Sequence, residues 1–76
     1  MLTADKVKEM LASINGQVNA SDLKNDSNLT DQGIESLDTF DFFLQVEEDF
    51  GVTVSDDKME DLNTVNKIVE YVNSES

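Results

Sequence analysis

Between Leu37 and Phe50 the apolar residues return every three or four positions, and glycines stand on either side at Gly33 and Gly51. A strand would need alternation over the same stretch, so this spacing specifies a helix with a broad apolar face. Val7, Met10, Leu11 and Ile14 repeat the pattern near the start, and Val65, Ile68, Val69 and Val72 repeat it near the end with Tyr71 beside them. Val52 and Val54 alternate with polar residues, but two positions are too few for a strand. Three longer helices and one short one in 76 residues give an all-α fold, a small four-helix bundle around one core, read as a single domain over residues 1–76.

The helix ends are marked by residue chemistry. Thr3 is a good N-cap and Asp5 suits a first turn, which predicts a helix from about Ala4 to Asn15 with Gly16 as its left-handed cap. From Gln17 to Glu35 the chain is rich in Asn, Asp and Ser, with Val18, Leu23, Leu29 and Ile34 as scattered apolar anchors. A long loop therefore separates the first two helices. Structureless loops of that length are uncommon in small domains, so a turn is expected near Ser21 to Lys24 and Leu29 is expected in the core. Ser55 is placed to cap a short acidic helix, Asp56 to Asp61, with Met59 and Leu62 facing inward, and Thr64 to cap the last helix.

At about 100° per residue, the helix that follows Ser36 places Thr39, Phe42, Phe43, Val46 and Phe50 within one arc of roughly 100°, the width of a core-facing stripe. Leu37, Phe40 and Leu44 form a second apolar stripe, displaced by roughly 60° to 120° from Phe43. A domain this small does not need both, so the second stripe is read as partner-facing. Asp41 and Glu48 fall just beyond it and Glu47 lies near its inner margin, giving an apolar strip with acidic edges.

Ser36 stands where a turn ends and this helix begins. Serine is a favoured N-cap, but the residue three positions on is Thr39 rather than Glu or Gln, so the cap lacks its usual reciprocal partner. The other use of a helix start is anion binding. Unpaired N–H groups and the positive end of the helix dipole favour a phosphate ester on Ser36.

Composition removes whole classes of chemistry. Cysteine and histidine are both absent, which excludes disulfides, thiolate nucleophiles, Ser-His pairs and the usual zinc ligands. Seventeen acids against five lysines give a net charge of −12, and no lysine lies between Lys24 and Lys58. Nucleic acid and anionic membranes are therefore disfavoured as partners, and basic protein surfaces are favoured. No basic, apolar leader and no bilayer-spanning run is present, so a cytoplasmic monomer is the expectation.

Gly33, Ile34, Glu35, Ser36, Leu37 and Asp38, with Thr39 and the run Val46, Glu47, Glu48, Asp49 and Phe50, resemble the attachment-site region of the acyl carrier proteins. The likeness extends over nearly the whole chain, to the closing Val69, Glu70, Tyr71, Val72 and Asn73. It implies that Ser36 carries 4′-phosphopantetheine, taken from coenzyme A by a phosphopantetheinyl transferase. The thiol of that group would hold acyl intermediates of fatty acid or polyketide-like synthesis as thioesters. Catalytic residues and a resident metal are not expected. Glu35, Asp38, Asp41, Glu47 and Glu48 would meet basic patches on acyl-processing enzymes, and Leu37, Phe40 and Leu44 would supply the apolar contact. The chain departs from the family in having Glu35 where Asp is usual, and Gln32 and Ser55 where Leu and Pro are frequent.

Two other classes fit an acidic helical chain. A calcium module would need alternating Asp or Asn ligands and a spaced closing Glu, which neither Asp31 to Ser36 nor Asp56 to Asp61 supplies. An unmodified acidic adaptor or inhibitor of a basic protein matches the charge but leaves the placement of Ser36 without a reason. Under any of these readings, a net −12 on a small body repels itself, and salt screens that repulsion. Thermal melts are expected to move upward from low to moderate ionic strength; identical melts would count against self-repulsion.

Overall fold

The computed structural model describes residues 1–75. Four α-helices follow one another: α1 Ala4–Ile14, α2 Ser36–Phe50, α3 Asp56–Asp61 and α4 Val65–Glu75. No strand occurs among the described residues, as the helical spacing requires. α1 packs against both α2 and α4, and α3 against α2.

Each helix begins on a side-chain cap or a backbone turn that the sequence supplies. Thr3 Oγ1 accepts from the Lys6 N–H at 3.2 Å, Ser55 Oγ from Lys58 at 3.3 Å and Thr64 Oγ1 from Lys67 at 3.2 Å, so three of the four starts are capped by hydroxyls. The end of α1 differs from expectation. Gly16 is not left-handed, because Asn15 turns the chain out of the helix in an extended conformation (φ −103°, ψ 101°) while its own N–H still bonds the Leu11 carbonyl. Asn15 Oδ1 then accepts from the Gln17 N–H at 3.0 Å, so a side chain closes the turn that a positive φ would otherwise close. Gly33 (φ 93°) and Gly51 (φ 69°) are the left-handed residues among those described, one before α2 and one after it.

The core is a single apolar cluster. Val7, Met10 and Leu11 of α1, Phe42, Phe43 and Val46 of α2, and Val65, Ile68 and Val72 of α4 are buried together, with Phe42 and Phe43 edge to face at 5.3 Å between ring centroids. Thr39, Phe50 and Val69 are half-buried at its margins. Leu23, Leu29 and Ile34 pin the long loop to this core, and the loop is shortened by two 3₁₀ turns, Ala20–Asp22 and Leu29–Gln32. Leu62 is buried and Met59 packs at the edge, as the amphipathic reading of α3 requires.

Backbone groups outside the helices find partners in side chains and in other segments. Gln32 accepts from the Lys24 N–H at 2.6 Å and donates to the carbonyls of Lys24 and Ser27, drawing the loop into a bracket. Leu29 N–H donates to the Asn63 carbonyl and Asn66 N–H to the Asn25 carbonyl, tying the loop to the start of α4. Val52 and Val54 are buried in the irregular segment between α2 and α3; the Val54 N–H donates to Glu47 Oε2 at 2.8 Å, and the Thr53 carbonyl accepts from Tyr71 Oη. Asn73 donates to the Leu2 carbonyl and accepts from its N–H, both at 2.9 Å.

Core and surface positions of α2 should separate in unfolding measurements. Phe43→Ala removes a fully buried ring and is expected to cost about 3–5 kcal/mol in denaturant unfolding. Leu44→Ala, one residue on but exposed, is expected to stay within about 0.5 kcal/mol of the parent. Equal losses from the two would place Leu44 in the core.

Candidate functional site

The Leu29–Gln32 turn ends on the left-handed Gly33, the buried Ile34 anchors the next residue, and α2 starts immediately after Glu35. Glu35, not Ser36, is the N-cap: its backbone is extended (φ −87°, ψ 165°), and its carbonyl accepts the first helical bond from Thr39 N–H at 3.0 Å. Ser36 is thereby the first helical residue, exposed, with its side chain released from capping. The capping side chain comes from Asp38, whose Oδ2 accepts from the Glu35 N–H at 3.1 Å. Thr39 Oγ1 donates to the Glu35 carbonyl at 3.1 Å, so the residue that fails as a reciprocal cap reinforces the turn in another way.

Asp38 also accepts from Asn15 Nδ2 at 2.9 Å, and the same nitrogen donates to the Gly33 carbonyl at 3.0 Å. The end of α1 is thus joined to both flanks of Ser36. No pattern in the sequence announces this, because its partners lie 18 and 23 residues away.

Beside Ser36 lies an open groove of about 430 Å³ between the start of α2, the second loop turn and α3. Leu29, Thr39, Phe40, Met59 and Leu62 line it together with Ser36, Asn28, Asp56, Glu60 and Asn63. A larger groove of about 640 Å³ between α3 and α4 is lined by Lys58, Lys67, Glu60, Glu70 and Tyr71 and does not include Ser36. The two grooves meet at Glu60, Leu62 and Asn63, and Ser36 stands at the first.

The second stripe of α2 faces solvent. Leu37 is 75% exposed, Phe40 45% and Leu44 44%, whereas Phe42, Phe43 and Val46 are fully buried. Glu35, Asp41 and Glu48 are exposed around the stripe. Asp38 and Glu47 are half-buried, each with a carboxylate oxygen already bonded within the chain, to Asn15 and Glu35 in one case and to Val54 in the other. The structure therefore divides the acidic residues around Ser36 into three that face outward and two that brace the fold. Among the described residues no cluster of acidic side chains is arranged to hold a metal ion.

Two comparisons with known proteins bear on the chain as a whole. The family model described as "phosphopantetheine attachment site" matches residues 5–72. The acyl carrier protein of Buchnera aphidicola subsp. Schizaphis graminum (strain Sg) is 34% identical over 71 residues, covering 93% of this chain and 90% of that protein. Both matches run from α1 into α4 and so take in the whole bundle rather than the short motif around Ser36. The chain belongs to the acyl carrier protein family, with 4′-phosphopantetheine as its prosthetic group.

Proposed function

We propose that Ser36 is the attachment point, and that the chain carries acyl groups between enzymes of fatty acid or related synthesis without catalysing a reaction itself. The observation that carries this is the exposed Ser36 at the first position of a 15-residue helix, with Glu35 and Asp38 forming the cap in its place. The residues present fit the group. A phosphate on Ser36 would lie against the N–H groups of the first turn, and the groove beside it offers Phe40, Met59 and Leu62 to the apolar segments of the arm and Asn28 and Asn63 to its amides.

Attachment is a displacement at phosphorus. The Ser36 oxygen forms a new bond to the phosphorus of coenzyme A that bears the pantetheine arm, the phosphoanhydride bond to adenosine bisphosphate breaks, and the serine proton passes to a base on the transferase. No histidine exists in the chain to take that proton, so activation comes from the transferase and its magnesium. Once bound, the group supplies a thiol able to hold acyl chains as thioesters.

Leu37, Phe40 and Leu44 form the apolar centre of the surface offered to partners, with Glu35, Asp41 and Glu48 around it. Exposed charges of this kind add little affinity each but accelerate encounter with basic surfaces, which suits a carrier that must dock and leave repeatedly. Asp38 and Glu47 would contribute chiefly by holding the site in shape. No helix among the described residues is long and apolar enough to cross a membrane, and we place the chain in the cytoplasm.

Intact mass spectrometry tests the attachment. Protein incubated with coenzyme A, magnesium and a broad-specificity transferase should gain one phosphopantetheinyl group, and Ser36→Ala should gain none. Modification that persists in Ser36→Ala would sink the assignment. The docking surface is tested separately: Asp41→Lys with Glu48→Lys should slow association with partner enzymes, and the deficit should shrink as salt rises. A salt-independent deficit would point to lost packing instead.

A further inference from the structure

We infer that Asn15 is a positioning residue for the attachment site, its side-chain amide fixing where the Ser36 hydroxyl stands. Ser36 is exposed, so its place is inherited from its neighbours. Those neighbours converge on one nitrogen. Asn15 Nδ2 donates to the Gly33 carbonyl, three residues before Ser36, and to Asp38 Oδ2, two residues after it. The same Asp38 oxygen accepts from the Glu35 N–H, directly before Ser36. Three hydrogen bonds of 2.9 to 3.1 Å therefore bracket the serine, and two of them are made to a carboxylate, where such bonds are stronger.

A simple helix-ending role does not account for this arrangement. Ending α1 needs only Asn15 Oδ1, which accepts from the Gln17 N–H, and the Asn15 backbone N–H, which bonds Leu11. The nitrogen of the side chain is left over from that task and is used entirely on the far side of the loop. Gly33 is the residue that most needs holding. With φ of 93° it is the hinge between the loop turn and α2, and glycine resists rotation there less than any other residue. The Asn15 bond to its carbonyl removes that freedom, and the bond to Asp38 sets the first turn of α2 against α1.

The consequence for attachment is kinetic. A reacting oxygen displaced by about 1 Å can lose on the order of a hundredfold in rate while binding surfaces elsewhere are intact. Of the residues offered for docking, Leu37, Phe40, Leu44, Asp41 and Glu48 make none of these bonds and Glu35 enters them through its backbone N–H, leaving its carboxylate outside them, so a loosened turn should lower kcat and spare KM for the carrier.

This inference rests on Ser36 being the attachment point, and one set of assays separates the two. Wild type, Ser36→Ala, Asn15→Ala and Asn15→Asp are compared with coenzyme A, magnesium and transferase, with kcat and KM measured for each carrier. Modification of the wild type but not of Ser36→Ala supports the attachment point; any other result there overturns that reading. Given that result, Asn15→Ala should lose roughly ten- to a hundredfold in kcat with KM within about twofold. Asn15→Asp keeps the oxygen for Gln17 but sets a carboxylate against Asp38, and should lose at least as much. Wild-type kcat in both variants, or a loss confined to KM, overturns the positioning role alone. Hydrogen exchange in the wild-type protein gives a check that no variant's folding can confuse. The Asn15 side-chain amide and the Glu35 N–H should exchange slowly, and exchange as fast as that of an exposed amide overturns the inference.

Discussion

The rotation of α2 about its own axis is held by Phe42, Phe43 and Val46, and the rest of the molecule is arranged around that rotation. With two adjacent rings buried in the common core, the helix cannot turn by one residue without pulling a phenylalanine into water and driving a polar side chain into the core. Fixing one face fixes the others. Leu37, Phe40 and Leu44 are outward because the phenylalanines are inward, and Ser36 emerges at the head of the helix at a defined azimuth. A single helix thus serves the core and the surface at once, and the separation between the two duties is one step of its 3.6-residue period.

Holding the helix along its axis is the work of polar side chains. Without disulfides or metal, a bundle this small must order a loop of some twenty residues by other means. Asn15 and Gln32 each make two or more bonds to groups of the loop or its flanks, and Leu23, Leu29 and Ile34 supply the apolar weight, while Asn73 ties α4 to Leu2 in the same way. Glu47 does the same for the connection to α3. The short amides act as cross-links that cost no net charge, an advantage in a chain that already carries −12.

Much of this was legible in the sequence because it depends on local spacing. The apolar period located the helices, Thr3, Ser55 and Thr64 marked starts that the structure retains, and the same period divided the two stripes of α2. What escaped was decided by partners far along the chain. Gly16 reads as a helix stop, yet Asn15 ends α1 by itself since its side chain can reach Gln17. Thr39 at the third position tells against Ser36 as the cap without saying what replaces it; Asp38, held by Asn15, accepts from the Glu35 N–H, and Glu35 takes that place. Gln32 looks like an ordinary loop residue, and its bracket across Lys24 and Ser27 depends on a loop path that no local pattern encodes.

The paired bonds between Leu2 and Asn73 place the beginning of α1 beside the end of α4, while Asn15 places the other end of α1 beside Ser36. α1 has 11 residues, so about 16 Å of helix separates the two poles. Anything attached before Leu2 or beyond Asn73 departs from one pole and the serine looks out from the other. Immobilising the protein on a bead or fusing it to a fluorescent partner at either end should therefore leave access to the serine unobstructed, and the two attachment choices should be interchangeable.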